Sequence, residues 1–243
     1  MDFNTGGSGG QNPNDPSRPL FGGEPAAPPR GPTGDPSGGT GDEFNLSDPV
    51  ASFVSNARNV LLNPVGFFRS IARRGDFVGP LVFAVICALI SGLLSGLLGF
   101  LLALIGGDIG TALVGLLSGI FLTPIVTVIG LFIGAGIYHL LVVLLIKPSN
   151  AGFEATFRVA AYVSVVQLVT WLAAIPILGL LVALVAGVYS IYLSVVGIRE
   201  VHATTTGRAA AVVLIPTAVL VLLGMLLVAV VGAALLFGSQ QQF

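Results

Sequence analysis

Long apolar stretches with short polar interruptions fill the chain from Val78 to Phe237. A membrane-spanning helix needs roughly 20 apolar residues to cross a hydrocarbon layer about 30 Å thick, and this region has the length for about five such crossings. Charged residues make up only 9% of the whole chain, against about 25% in an average soluble domain. The pattern predicts an all-α polytopic membrane protein built as a bundle of five transmembrane helices.

Prolines, glycines and charged residues divide this region into spans. We predict helices over residues 78–105, 124–146, 157–175 and 178–198, with a fifth that begins at Ala209 or Pro216 and ends at Phe237. The apolar stretch over residues 110–146 is too long for one straight crossing, and Pro124 divides it. Residues 111–122 are therefore a half-helix, a kinked extension of the second span or one arm of a re-entrant hairpin.

The first part of the chain, residues 1–47, is rich in Gly, Pro, Asn, Asp and Ser and has only scattered apolar side chains. Such a segment buries too little apolar surface to offset the entropy lost on ordering, so we predict a disordered tail. It lacks the apolar core of a cleavable signal peptide. The first span is therefore expected to act as the insertion signal.

Residues 48–76 form the second part, an amphipathic segment before the five-helix domain at residues 77–238. Asp48 and Pro49 are typical of a helix start, and Asn63-Pro64 interrupts the helix. Aromatic and basic side chains together predict a helix in the headgroup layer of an anionic leaflet. The alternative is a connector whose aromatic residues pack on the membrane domain. The residues assigned to a lipid or partner face are Arg58, Phe67, Phe68, Arg69, Arg73 and Arg74.

Charged loops alternate with uncharged loops along the chain. With five crossings, all basic residues outside the tail fall on one side: before the first span, between the second and third, and between the fourth and fifth. Four or six crossings would divide the arginines between the two faces. Because basic loops are retained in the cytoplasm, we predict a cytoplasmic N-terminus and a C-terminus outside.

The sequence contains no catalytic signature. It has no paired intramembrane carboxylates, no nucleophile elbow and no phosphate-binding glycine loop. Cys87 is the single cysteine, so neither an internal disulfide nor a Cys/His metal site is predicted. The net charge of -1 gives no basic field suited to nucleic acid. We predict a non-enzymatic protein without a cofactor, a metal or a nucleic-acid partner.

His139 is the one ionisable residue predicted deep within a span, about two turns from its cytoplasmic end. Ionisable groups at such depth are often functional. One hypothesis is a proton relay or ligand site that His139 forms with Glu200 and His202. The favoured interpretation is a hydrogen bond from His139 to Tyr162 or to a backbone carbonyl, which would anchor the bundle.

Polar residues near the cytoplasmic ends of the third and fourth spans form a second candidate site. Arg158 lies one turn into the third span, from which its long side chain is expected to reach the membrane surface. Glu200 and His202 are predicted to lie among headgroups and water. Together with Lys147 and Arg208, these residues either dock a partner or an anionic lipid, or only set the topology.

Small residues recur four positions apart in the first two spans. In lipid, such spacings allow close approach of helix backbones and promote helix association. They predict tight packing within one chain, and they are equally compatible with a homodimer. The pairs are Ser91/Ser95, Gly92/Gly96, Ser95/Gly99, Gly115/Gly119 and Gly130/Gly134.

Five motifs occur in order along the chain: LNPVGFF at 62–68, YHLL at 138–141, GFEATFRVAAY at 152–162, IPILG at 175–179 and GIREVHATTTGRA at 197–209. In this order they resemble the Yip family, the Ypt/Rab-interacting membrane proteins with five spans. Two positions depart from the family pattern: KPSN at 147–150 replaces a Gly-Gly pair, and VSV at 163–165 lacks a proline. The Gly/Pro/Ala-rich composition is typical of a bacterial member, which predicts the bacterial plasma membrane as its location.

The resemblance implies a non-enzymatic membrane scaffold or adaptor. Eukaryotic members of the family resemble adaptors for small GTPases in vesicle traffic. We expect the cytoplasmic face of this chain to engage anionic lipid headgroups or a membrane-associated protein. The alternative is a small permease or channel with a path lined by His139 and by the helix break at Pro124.

Overall fold

The computed structural model describes residues 43–175 and 178–239, without the side chains of Pro148 and residues 235–239. Within these ranges all regular structure is helical, as the sequence predicts. The α-helices are α1 (Pro49–Leu62), α2 (Pro64–Ser70), α3 (Val78–Ile105), α4 (Ile109–Leu117), α5 (Thr123–Leu145), α6 (Phe153–Val163), α7 (Gln167–Thr170), α8 (Leu178–Val201) and α9 (Thr206–Ser239).

Five helical runs in the described residues are long and apolar enough to cross a membrane, which confirms the predicted five-span fold. The first span matches its predicted bounds, whereas the third, fourth and fifth extend three or four residues further into the polar loops. The cause is local, since a helix can continue past its apolar stretch until a cap ends it. The runs are Val78–Ile105, Ile109–Leu145, Phe153–Ala174, Leu178–Val201 and Thr206–Ala234.

The second span is one helical run with a local irregularity. A π-helical segment, Ser118–Leu122, joins α4 to α5 directly before Pro124. Proline has no N–H and its ring clashes with the carbonyl four residues earlier, so the helix departs from α geometry there. Residues 111–122 thus continue the second span as part of one helical run, and the re-entrant hairpin is wrong.

Close backbone contact joins α3 to the π-helical segment. A Cβ atom added to Gly92 would overlap the carbonyl of Gly119, and one added to Gly119 would overlap the carbonyl of Gly92. By contrast, Gly115, Gly130 and Gly134 have no neighbouring atom within 4 Å of such a Cβ. Some of the predicted small-residue pairs therefore pack within the chain, while others lie on its open surface.

The third span forms the centre of the bundle, with α6 packed against α3, α5 and α8. It continues through a 3-10 turn (Ser164–Val166), α7 and a second 3-10 turn (Trp171–Ala174). Phe157 and Tyr162 of α6 are fully buried, as are Phe83 of α3 and Leu193 of α8. This central position makes α6 the element that most polar side chains of the site contact.

Helices α1 and α2 lie against the bundle instead of standing apart from it. Asp48 caps α1 by accepting a hydrogen bond from the Ala51 amide, as predicted, and Asn63 caps α2 through Gly66. Phe67 and Phe68 are only 3% and 1% exposed. Their assignment to a lipid face is wrong, because α2 packs on α8 and turns both rings into the core.

The predicted disordered tail, residues 1–47, falls outside the described residues up to position 42. Its last five residues are described, and they belong with the helical domain. Phe44 is 6% exposed, and its amide donates a hydrogen bond to the hydroxyl of Tyr162. The prediction of disorder is therefore wrong for residues 43–47, and for residues 1–42 it lies outside the described residues.

Charged groups collect at one end of the bundle, which we call the basic end. It comprises residues 43–77, residues 146–158 around the start of α6, and residues 199–208 around the turn between α8 and α9. Hydrogen bonds join these parts, as between Gly75 and Glu154 and between Ala151 and His202. Among the described residues the basic end holds eight Lys or Arg and five Asp or Glu, while Asp108 is the one charged residue at the opposite end.

Candidate functional site at the basic end

A threonine hydroxyl links the two histidines of the chain. Oγ1 of Thr156 on α6 lies 3.2 Å from Nδ1 of His139 on α5 and 3.1 Å from Nε2 of His202. The second ring nitrogen of His202, Nδ1, accepts a hydrogen bond from the Ala151 amide at 3.0 Å. The structure thus brings together His139 and His202, two predicted site residues, through a residue that was not predicted.

The Ala151 amide determines which nitrogen of His202 carries the proton. Because Nδ1 accepts from that amide, the neutral ring is protonated on Nε2 and donates to Thr156. Burial lowers the pKa of His202 to about 4, with further contributions from the nearby charges of His139 and Arg73. His202 is therefore neutral at pH 7, and its place in the network is that of a hydrogen-bonding group.

The structure does not join His139 to Tyr162. The hydroxyl of Tyr162 accepts from the Phe44 amide instead, at 3.1 Å. His139 forms its hydrogen bond with Thr156. The imidazole ring of His139 also packs edge-on against the ring of Phe153, at a centroid distance of 5.6 Å. The anchoring role predicted for His139 fits these contacts, but the partner predicted from the sequence was wrong.

Arg158 is buried in an ion pair within the domain. Its Nε donates to Oε1 of Glu43 at 3.1 Å, and its Nη2 donates to the carbonyl of Asp76 at 2.8 Å. The side chain is only 3% exposed. The predicted extension of Arg158 to the membrane surface is therefore wrong, because Glu43 and the turn at Asp76 cover the guanidinium.

Glu43 connects the start of the described chain to this arginine. Its Oε1 also accepts a hydrogen bond from the Ala72 amide at 3.0 Å. Burial raises the pKa of Glu43, and the attraction of Arg158 and the bond from Ala72 offset this only in part. Desolvation exceeds the pairing energy in many buried ion pairs, and this carboxylate follows that pattern.

Glu200 is the centre of a second charged cluster, close to the surface. It accepts from Nε of Arg69 at 3.1 Å and from Nε of Arg199 at 2.9 Å. The side chain of Arg69 is 69% exposed, whereas that of Glu200 is 11% exposed. This cluster ties α2 to the end of α8, and Glu200 does not join the histidine network.

Sequence reasoning missed four members of the site: Glu43, Phe44, Ala151 and Thr156. The adjacent acidic and aromatic residues at 43–44 differ from the Gly/Pro-rich tail around them, and that contrast could have marked them. Thr156 lies inside the GFEATFRVAAY motif, two positions before Arg158. Ala151 contributes only a backbone amide, so no side-chain pattern could have indicated it.

Two residues proposed for a transport path lie far apart. Pro124 and His139 are separated by 15 positions of one helix, which corresponds to about 22 Å at 1.5 Å per residue. Pro124 adjoins the π-helical segment, and His139 is held by Thr156 near the basic end. They form no common site in the described residues. In the same residues, no group of three or more His, Cys, Asp or Glu is placed to hold a metal ion.

These observations define a polytopic α-helical membrane protein with a polar network at one end of the bundle. A sequence profile of the Yip1 domain matches residues 58–238, and the chain belongs to this family. The match begins within α1 and includes all five spans. Comparison with the curated proteins and with the solved structures gives no significant match.

Proposed function

We propose that this protein is a non-catalytic membrane scaffold or adaptor whose basic end engages anionic lipid headgroups or a membrane-associated protein. The supporting observation is a set of exposed cations that form no ion pair with another described residue. Arg69, Arg158 and Arg199 are paired with carboxylates, as described above. The exposed cations without such a pair are Arg58, Arg73, Arg74, Lys147 and Arg208.

The position of these cations suits an anionic surface. A basic residue close to an anionic leaflet contributes about 1 kcal/mol of binding energy. Arg74 also lines a cavity of about 310 Å³, together with Asn150 and residues 151–154. Arg74 would attract a headgroup phosphate at this cavity, while the carboxylate of Glu154, which accepts a hydrogen bond from the Gly75 amide, opposes it.

Orientation follows from the same charge asymmetry. Basic loops are retained in the cytoplasm, so the proposal places the basic end and the N-terminus there, with the C-terminus outside and the bacterial plasma membrane as the location. Reporter fusions at Met1 and Phe243 test this arrangement. They should report opposite compartments, and activity in the same compartment would contradict it.

The headgroup role is tested by the double variant Arg73→Gln/Arg74→Gln. Its preference for spin-labelled phosphatidylglycerol over phosphatidylcholine is measured by electron paramagnetic resonance in reconstituted vesicles. At about 1 kcal/mol for each residue, the preference should fall roughly fivefold per arginine. Increasing ionic strength should reduce the preference of the native protein in the same direction, because salt screens exposed charges.

Two variants serve as controls for this measurement. Arg73→Lys/Arg74→Lys keeps both charges and should keep the lipid preference. Arg69→Gln removes a cation that is already paired with Glu200, and it should change the preference less than either exposed arginine. An unchanged preference in the Gln double variant would contradict headgroup binding. Crosslinking from these positions in native membranes would then test the protein partner.

A further inference from the structure

A two-residue segment, Glu43-Phe44, is bound by the helical domain through each of its chemical parts. The Glu43 carboxylate accepts from Arg158 and from the Ala72 amide. The Phe44 amide donates to the hydroxyl of Tyr162, and the Phe44 ring packs edge-on against Phe83 at a centroid distance of 6.2 Å. A carboxylate, a backbone N–H and an aromatic ring thus each meet a separate complementary group.

The groups that contact this segment are part of the bundle itself. Arg158 and Tyr162 are four positions apart on α6, so they share one face of that helix. Phe83 lies on the neighbouring α3 and is fully buried. Only residues 45–47 connect Phe44 to Asp48, the N-cap of α1. The segment therefore lies outside the helices, while its binding site is built on rigid elements.

From this arrangement we infer that Arg158, Tyr162, Phe83 and the Ala72 amide form a peptide-binding site. The site takes a segment in which a carboxylate residue is followed directly by an aromatic residue, and in this structure the chain's own Glu43-Phe44 occupies it. Combined recognition of main-chain and side-chain groups is typical of sites that bind short peptides. This inference is independent of headgroup binding by the exposed cations.

The intramolecular occupant leaves part of the site unused. Both hydrogen bonds to the Glu43 carboxylate end on Oε1, and Nη1 of Arg158 is buried without a hydrogen-bond partner in the described residues. Arginine binds a carboxylate most strongly through two parallel hydrogen bonds. Glu43 makes only one hydrogen bond to Arg158, so a segment whose carboxylate makes two would bind more strongly and can compete with Glu43-Phe44.

The test uses the full chain in lipid nanodiscs with the site vacated by Glu43→Gln/Phe44→Ala. The probe is a fluorescent peptide of residues 41–47, and the matched control is the same peptide with Gln in place of Glu43 and Ala in place of Phe44. Saturable binding of the first peptide, at least tenfold tighter than the second, is expected. Tyr162→Phe in the vacated chain should weaken binding, because it removes the hydroxyl that accepts the hydrogen bond from the amide of the bound Phe.

A second measurement covers the case in which the vacated chain does not fold. The wild-type chain carries a fluorophore at Ser47→Cys, and unlabelled peptide is added up to millimolar concentration, the range of a ligand tethered through a short linker. Release of Glu43-Phe44 should lower the fluorophore anisotropy with the native peptide and not with the substituted control peptide. Equal effects of both peptides, or no effect in either measurement, would overturn the inference.

The source of a competing segment is distinguished in the same system. Vacated chains labelled with a donor are mixed with wild-type chains labelled with an acceptor at Ser47→Cys. Energy transfer between the two chains is expected, and it should disappear when Phe44→Ala is introduced into the acceptor-labelled chain. This result supports the peptide site and identifies a second copy of the chain as the source of the segment. Transfer that persists unchanged with that variant contradicts delivery of Glu43-Phe44 between copies.

Discussion

The Ala151 amide donates a hydrogen bond to Nδ1 of His202 over 3.0 Å, although 51 residues separate the two in sequence. This bond joins the loop after α5 to the end of α8. It also fixes His202 as an acceptor at Nδ1 and hence as a donor toward Thr156. A second proton on His202 would place two donors opposite each other and break this connection.

We predict that acidification weakens the bundle through His202. Its pKa is about 4 in the folded protein, against an ordinary value of 6.5. The unfolded chain therefore binds more protons between these values, and the stabilisation that is complete above pH 6.5 is lost as the pH falls toward 4. Thermal unfolding in nanodiscs should show a lower midpoint at pH 5 than at pH 7.5.

The control for this prediction is His202→Asn, which keeps an acceptor for the Ala151 amide and does not titrate. Its unfolding midpoint should depend less on pH. Burial raises the pKa of Glu43, and a raised carboxyl pKa gives the opposite trend, with stabilisation lost as the pH rises through it. Both proteins are therefore compared in a Glu43→Gln background. Identical pH dependence would contradict the role of His202.

We predict that Thr156→Val destabilises the protein while Thr156→Ser does not. Valine has the shape of threonine without the hydroxyl, so nitrogen atoms of His139 and His202 lose their shared partner. An unsatisfied buried polar group costs about 1–3 kcal/mol. Serine keeps the hydroxyl, so a chemical-denaturation midpoint close to the native value is expected. Equal destabilisation by both substitutions would indicate that the methyl group, not the hydrogen bonds, matters at this position.

We predict that Gly92→Ala destabilises the bundle and that Gly130→Ala does not. The added methyl group at position 92 meets the carbonyl of Gly119, so α3 and the second span must separate. Overpacking of this kind costs about 1–3 kcal/mol. Position 130 is open in the structure, so Gly130→Ala should not lower the unfolding midpoint, and the helix propensity of alanine favours a small increase. If Gly130 and Gly134 lie in a homodimer interface, Gly130→Ile should lower the fraction of dimer detected by crosslinking without changing the unfolding of the monomer.

We predict that Ala203→Gly stabilises the protein. Helix α8 ends with hydrogen bonds from the amides of Ala203 and Thr204 to the carbonyls of Glu200 and Arg199. This termination places Ala203 at φ 46°, in the left-handed region. A residue with a Cβ atom loses about 1 kcal/mol there relative to glycine. A higher unfolding midpoint is expected for Ala203→Gly. The matched control is Ala210→Gly in α9, which should lower the midpoint, because glycine in a helix costs about 0.5–1 kcal/mol relative to alanine.

Residue type alone was sufficient to predict the membrane helices. Apolar residues favour lipid wherever they occur, so the length of an apolar run predicts a crossing without knowledge of its neighbours. Local hydrogen bonding likewise made Asp48 predictable as a cap. Boundaries in the third to fifth spans were less accurate, because polar residues there continue the helices instead of ending them.

The partners of the polar side chains were decided by the tertiary structure. Arg158 meets Glu43 across 115 residues, Thr156 meets His202 across 46, and Tyr162 meets Phe44 across 118. Phe67 and Phe68 were assigned to a lipid face, but their rings pack into the core. A helix in the headgroup layer and a helix packed against the bundle can have the same pattern of aromatic residues, so the sequence does not distinguish them. Hydrophobicity acts residue by residue and is readable along the chain, whereas hydrogen bonds and ion pairs require two groups at a defined distance, which only the packing of α6 among its neighbours provides.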